Sequence, residues 1–304
     1  MRRLLPLCAA VLVACPSEEV DDGPCPFEEE GAVHAEQTAV PGVIGPDERL
    51  ADVVVPFSYD GRTALPVVFL LHGFGASGTM QDFLFKFGDH VDGAQGFILV
   101  LPNGTPNAEG RPHWNATDAC CDFHGDDVDD VAYLTGLLDE LIETFRVDTS
   151  RVYFTGHSNG GYMSYRMACE IPDRIAAILP LAGATWLNDA DCGATEGVGV
   201  LHVHGDQDPD VLYEGDFDYP GAFDSVVTWA ERGGCDVSAT SEGEPLDLVN
   251  TIDGAETKVL NFTEGCGCGT DATLWTMEGE GHVPAFTDAF AEHALAWLFE
   301  RRIH

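Results

Sequence analysis

The residues best suited to chemistry begin with Gly156-His157-Ser158-Asn159-Gly160-Gly161, which follows the apolar run 152–155 and opens a stretch of helical period. This is G-x-S-x-G in a strand–turn–helix setting, the context the pattern needs before it carries weight. The reason is steric. A nucleophile on so tight a turn takes a strained backbone, and side chains two positions either side would collide, so glycine fills both places. Ser158 is thereby lifted above the sheet, with the Asn159 N–H turned toward the oxygen of a tetrahedral intermediate.

A serine hydroxyl is a weak nucleophile near neutral pH and needs a base that is itself oriented by an acid. The chain order that goes with this turn is serine, then acid, then histidine. After the run 198–203 comes His204-Gly205-Asp206-Gln207-Asp208-Pro209-Asp210, a polar turn in which three aspartates compete and position does not separate them. Only His282, His293 and His304 lie beyond it. His293 falls mid-helix and His304 is the last residue, which leaves His282, in Glu278-Gly279-Glu280-Gly281-His282, as the base. His157, His202 and His204 read as packing or structural. The second half of an oxyanion hole should come from an early strand-to-loop turn. The run 67–71 ends in His72-Gly73-Phe74-Gly75-Ala76-Ser77-Gly78, where the Phe74 N–H is the expected donor.

The elements that must position these residues are legible in the spacing. Apolar runs at 67–71, 97–101, 152–155, 175–182 and 198–203 are short and nearly continuous, as strands buried on both faces are. Helical period marks 127–145, 159–171, 222–232 and 287–302, and 272–277 is strand-like. Alternating strands and helices predict an α/β fold with a mostly parallel central sheet flanked by helices, and functional loops at the carboxyl ends of the strands.

The whole chain has 304 residues, 14 Lys+Arg against 52 Asp+Glu and a net charge of −38, so its field repels phosphate backbones and excludes a nucleic-acid partner. An apolar content of 45% excludes wholesale disorder. Residues 1–14 carry two arginines and a short apolar stretch, the pattern of an export signal. Leu12-Val13-Ala14-Cys15 resembles a bacterial lipobox, which implies lipidation at Cys15 and membrane attachment only through that anchor. Residues 15–31 are acidic with Pro and Gly, an expected tether, and 32–304 form the expected catalytic domain. Cys8 lies in the signal segment. Apart from Cys8 and Cys15, eight cysteines remain: Cys25, Cys120, Cys121, Cys169, Cys192, Cys235, Cys266 and Cys268. An even count in an exported chain favours disulfides of unassigned pairing, and the spacings lack the two-residue gap of a zinc knuckle. The acidic run Asp122–Asp130 lacks the alternation of an EF-hand loop, and the N-terminus of helix 127–145 explains its charge without calcium. No metal is expected.

The set His72-Gly73-Phe74-Gly75, Trp114-Asn115-Ala116 with Cys120-Cys121, Val128-Asp129-Asp130-Val131, the Ser158 turn and Gly281-His282 resembles the exported esterases that group feruloyl esterases with polyhydroxybutyrate depolymerases. The resemblance covers roughly residues 50–300. It implies an α/β-hydrolase fold without metal or organic cofactor and no protein partner. The family's H-G-x-x-D stretch maps onto His204–Asp208 and selects Asp208 as the acid. Trp114 is then a candidate substrate-binding wall or a core tryptophan. The family's Thr-Trp-Pro-like run after the base is replaced by Val283-Pro284-Ala285-Phe286. The implied substrate is a feruloyl or acetyl ester on plant polysaccharide, or a hydroxyalkanoate oligomer. A peptidase or thioesterase would use the same triad, and a non-catalytic surface lipoprotein is the reading from another class.

Overall fold

The computed structural model describes residues 41–303. The expected signal segment 1–14, Cys15, the tether 15–31, Cys25 and His304 lie outside the described residues.

The chain forms β1 (Val43–Ile44), β2 (Ala51–Val54), β3 (Leu65–Leu71), α1 (Gly78–Phe85), β4 (Ile98–Leu101), β5 (Thr105–Pro106) and β6 (Pro112–His113). It continues through α2 (Asp130–Thr144), β7 (Val147–His157), α3 (Asn159–Glu170), β8 (Ala177–Leu181), β9 (Gly199–Gly205) and α4 (Ala222–Arg232). The last elements are β10 (Thr240–Glu242), β11 (Thr257–Phe262), β12 (Ala272–Met277) and α5 (Asp288–Phe299). The five apolar runs become β3, β4, β7, β8 and β9, and the four helical stretches become α2 to α5. Absent from the sequence reading are α1, which is only eight residues long, the β5–β6 hairpin and the short edge strands. Elements this short carry too few apolar positions to show a period.

Ten strands make one sheet in the order β1-β2-β4-β3-β7-β8-β9-β12-β11-β10. The middle six run parallel, and antiparallel strands flank them on both sides. The pleat divides the core. Val67, Phe69 and Leu71 of β3 point into one layer with Leu134, Leu138 and Met163 of α2 and α3. Val68 and Leu70 point into the other with Phe85 of α1 and Phe290 of α5. Every residue of β3 is buried, which is why the run lacks polar alternation.

This order also locates the site. From β3 the chain steps to β4 on one side, whereas β7 pairs with β3 on the other. Loops leaving the carboxyl ends of β3 and β7 therefore diverge, and a crevice opens between them. Disulfides Cys169–Cys192, Cys235–Cys266 and the adjacent pair Cys120–Cys121 bear out the expectation of cross-links, and Cys268 is disulfide-bonded too. The first joins the end of α3 to the loop after β8.

Candidate active site

Ser158 sits between β7 and α3 with φ 55° and ψ −120°. That backbone is costly for a residue with a Cβ and persists only where its surroundings over-determine it. Here β7 fixes one side, α3 the other, and the Ser158 N–H donates to Leu181 O at 2.8 Å. The flanking glycines are required by β3. A Cβ on Gly156 would lie 2.5 Å from Leu71 O, and one on Gly160 only 2.1 Å from the same atom. The collision that excludes side chains is thus with the neighbouring strand and, at Gly156, also with the Gly160 backbone at 2.6 Å.

Three segments far apart in the chain converge on the serine. His282 Nε2 lies 2.9 Å from Ser158 Oγ, and His282 Nδ1 lies 2.7 Å from Asp208 Oδ2. Of the three competing aspartates only Asp208 makes this contact. Its other oxygen accepts the N–H groups of Asp210 and Val211 at 2.8 and 2.9 Å. Asp206 turns away to accept the Gly279 N–H at 2.7 Å, and Asp210 is exposed. Burial would push the Asp208 carboxyl up, but hydrogen bonds from His204, His282 and the Val211 N–H outweigh it and hold it well below the usual carboxylate range.

Behind Asp208 lies a buried relay that the sequence reading did not anticipate. His204 Nε2 is 2.9 Å from Val211 O and 3.3 Å from Asp208 Oδ2. A carbonyl only accepts, so Nε2 carries the proton and Nδ1 is the acceptor for His202 Nε2–H at 3.0 Å. His202 Nδ1 then accepts the Tyr165 hydroxyl at 2.8 Å. Every proton in this chain is fixed by its terminal carbonyl. The one sequence signal was a histidine four residues ahead of the acid. His157, expected only to pack, lies against His282 with ring centres 4.7 Å apart and planes tilted by 47°, and donates from Nε2 to the His282 carbonyl at 2.7 Å. It steadies the loop that carries His282.

At the end of β3, Gly73 N–H donates to Gln81 Oε1 and Gly75 N–H to Pro112 O. Among the described residues, the Phe74 N–H between them and the Asn159 N–H at the start of α3 have no acceptor. These are the two donors expected for an oxyanion. The Asn159 side chain is fully employed elsewhere, pairing both ways with the Trp114 backbone at 2.8 and 2.9 Å.

Of the two readings of Trp114, the substrate-binding wall is the one its burial contradicts, and the core reading agrees with the structure. Trp114 is 0% exposed, and its indole N–H donates to His72 O at 2.9 Å. It does not line a cleft. Its ring lies in the core beneath the β3 loop, because its N–H finds a buried carbonyl there and its backbone is tied to α3.

Three buried imidazoles give the fold a pH dependence. Burial pushes His72 and His157 down to about 4 and His202 well below its ordinary value. The same rings protonate near pH 6.5 in an unfolded chain, which therefore binds more protons as pH falls from there toward 4. The stabilisation is complete above pH 6.5, and by pH 4 His72 and His157 each withdraw about 3 kcal/mol. Urea midpoints followed from pH 7.5 to 4.5 should decline throughout that window. A flat profile would mean the rings are not held neutral.

A family model described as phospholipase/carboxylesterase matches residues 58–214. The chain is 27% identical to feruloyl esterase B of Piromyces equi over 77% of its length and 42% of the relative's. It is 25% identical to feruloyl esterase D of Neurospora crassa over 94% of its length and 88% of the relative's. The chain spans less than half the length of several curated relatives it matches. The solved acetyl xylan esterase of Aspergillus awamori superposes with a TM-score of 0.60 at 16% identity, covering 87% of this chain and 98% of that one. That likeness concerns the fold. With the serine turn after β7 inside the matched span, the chain belongs to the phospholipase/carboxylesterase family of the α/β-hydrolase fold.

Proposed function

We propose that this protein is an exported serine carboxylic-ester hydrolase. The observation that carries the reading is the hydrogen-bond line from Ser158 Oγ through His282 to Asp208, at 2.9 and 2.7 Å, beside two backbone N–H groups with no acceptor. Ser158 attacks the ester carbonyl while His282 Nε2 takes its proton. Asp208 holds the His282 tautomer and stabilises the imidazolium, and the Phe74 and Asn159 N–H groups bind the oxyanion. His282 then protonates the departing alcohol. It next activates water, which releases the acyl group from Ser158.

The substrate class proposed is a feruloyl or acetyl ester on plant polysaccharide, in keeping with the feruloyl esterase relatives. The rim adds support. Phe74 packs edge-on against exposed Phe123, ring centres 5.6 Å apart, and the Arg111 guanidinium lies 4.8 Å over the Phe74 ring. An aryl acyl group reaching the Phe74 N–H would meet aromatic surface there. The proposal includes a signal segment over 1–14, lipidation at Cys15, a tether over 15–31 and a catalytic domain over 32–304, all resting on the sequence pattern.

The test is hydrolysis of p-nitrophenyl acetate, methyl ferulate and a 3-hydroxybutyrate dimer by the folded protein. Methyl ferulate should turn over, and His282→Ala should abolish it. Preference for the dimer would move the substrate class to polyester oligomers. If no ester in the panel is cleaved by folded protein, the enzymatic reading fails.

A further inference from the structure

The acidic run ahead of α2 divides in two. Asp129 caps the helix, accepting the Ala132 N–H at 2.9 Å, and Asp130 lies in its first turn, paired with Arg49. Helix polarity accounts for these two. Asp122 and Asp126 lie before the helix and face a histidine instead.

His113, the last residue of β6, is 1% exposed. Its Nδ1 lies 2.9 Å from Thr105 O across the β5–β6 hairpin. That carbonyl can only accept, so Nδ1 carries the proton and Nε2 presents a lone pair. Among the described residues, this buried Nε2 has no hydrogen-bond partner. It is aimed at Asp122 Oδ1, 3.7 Å away, and Asp126 Oδ2, 4.0 Å away, and the three donor atoms lie within 4.8 Å of one another. A buried lone pair facing two carboxylates is unfavourable with no donor between them, because the nitrogen loses its hydrogen bond and the like charges repel. One divalent cation would satisfy all three groups.

We propose that His113, Asp122 and Asp126 form a structural site for a divalent cation of the zinc type. The donor set selects the cation. Imidazole nitrogen with two carboxylate oxygens suits zinc, whereas calcium takes six to eight oxygens. The outer contacts are those of a built site. The ligand histidine has its other N–H held by a backbone carbonyl, and the Asp122 carboxylate accepts the Asp126 and Asp127 N–H groups at 2.8 Å each. The separations exceed the ~3.3 Å that two ~2.0 Å bonds subtend at a tetrahedral angle. Asp126, whose side chain is 34% exposed, closes the difference by rotating inward, and water takes the fourth position.

The cation would clip the 122–127 turn to the β5–β6 hairpin. Pro112 of that hairpin accepts the Gly75 N–H at 2.7 Å, and the Phe74 ring lies against both His113 and Phe123. The clip therefore braces the rim beside the Phe74 N–H without touching the serine.

Zn2+ titrated calorimetrically into chelator-treated protein, with thermal melts alongside, tests this. Asp208, Asp210 and His282 form a second group of potential ligands, so His282→Ala serves as a control. One equivalent should bind to both wild type and His282→Ala, and a hundredfold excess over Kd should raise Tm by about 5 °C. Asp126→Asn, at an exposed loop residue whose replacement leaves the fold intact, should weaken binding at least tenfold and remove the shift. The proposal is overturned by the absence of stoichiometric binding, by unchanged binding in Asp126→Asn, or by loss of binding in His282→Ala alone. A Tm rise with Ca2+ and none with Zn2+ would overturn the cation class. Melts that ignore the metal in wild type would likewise overturn the proposal.

Discussion

Ser158→Ala should lower kcat by about 10^6-fold and leave Tm nearly unchanged. Among the described residues, the Ser158 hydroxyl is the group hydrogen-bonded to His282 Nε2, at 2.9 Å. Removing it leaves the two oxyanion donors and the binding surface, which by themselves retain roughly 10^3–10^4-fold catalysis over water. Stability is spared because the backbone strain at φ 55° belongs to the turn, which β7 and α3 impose whether the side chain is serine or alanine. The measurement is p-nitrophenyl acetate hydrolysis at high enzyme concentration, with melts by circular dichroism. A loss smaller than a hundredfold in a folded variant would remove Ser158 from the nucleophile's role.

Asp208→Asn is expected to cost about 10^4-fold in kcat, whereas Asp206→Asn and Asp210→Asn should stay within a few-fold of wild type. An amide at position 208 can present N–H to His282 Nδ1. The ring then carries its proton on Nε2 and faces Ser158 with a donor where a base is needed. Asp206 supplies an acceptor to the Gly279 N–H and to the Gln207 side-chain amide, which an amide oxygen also does. Asp210 contributes its backbone N–H to Asp208, and this survives the substitution. Because hydrogen bonds hold the Asp208 carboxyl well below its ordinary range, it stays ionised throughout the working pH range. Equal losses in all three variants would point to a diffuse field effect in place of one orienting carboxylate.

Fold class and element order were legible because they rest on local pattern. An apolar run such as 67–71 has no polar alternation only when both faces of a strand are covered, and that fact is written along five consecutive residues. Similarly, the glycines around Ser158 record a local steric demand, although the atom that imposes it, Leu71 O, belongs to another strand. Short elements without a period, such as α1 and the β5–β6 hairpin, left no comparable trace.

The sequence by itself pointed to Ser158 and His282 as the proposed nucleophile and base, and to the parallel sheet. Each follows from turn sterics, chain order or periodicity, all readable within a few residues. Position left open which of Asp206, Asp208 and Asp210 meets His282, although the family resemblance implied Asp208, and Trp114 was offered as either a cleft wall or a core residue. Only the tertiary structure decided these. The Asp208–His282 and His282–Ser158 contacts span 74 and 124 residues. Trp114 is buried because a carbonyl 42 residues away receives its indole N–H. The His202–His204 relay and the lone pair of His113 belong to the same kind of fact. Burial and hydrogen-bond partnership depend on which distant atoms arrive within 3–4 Å, and one-dimensional spacing does not encode that arrival.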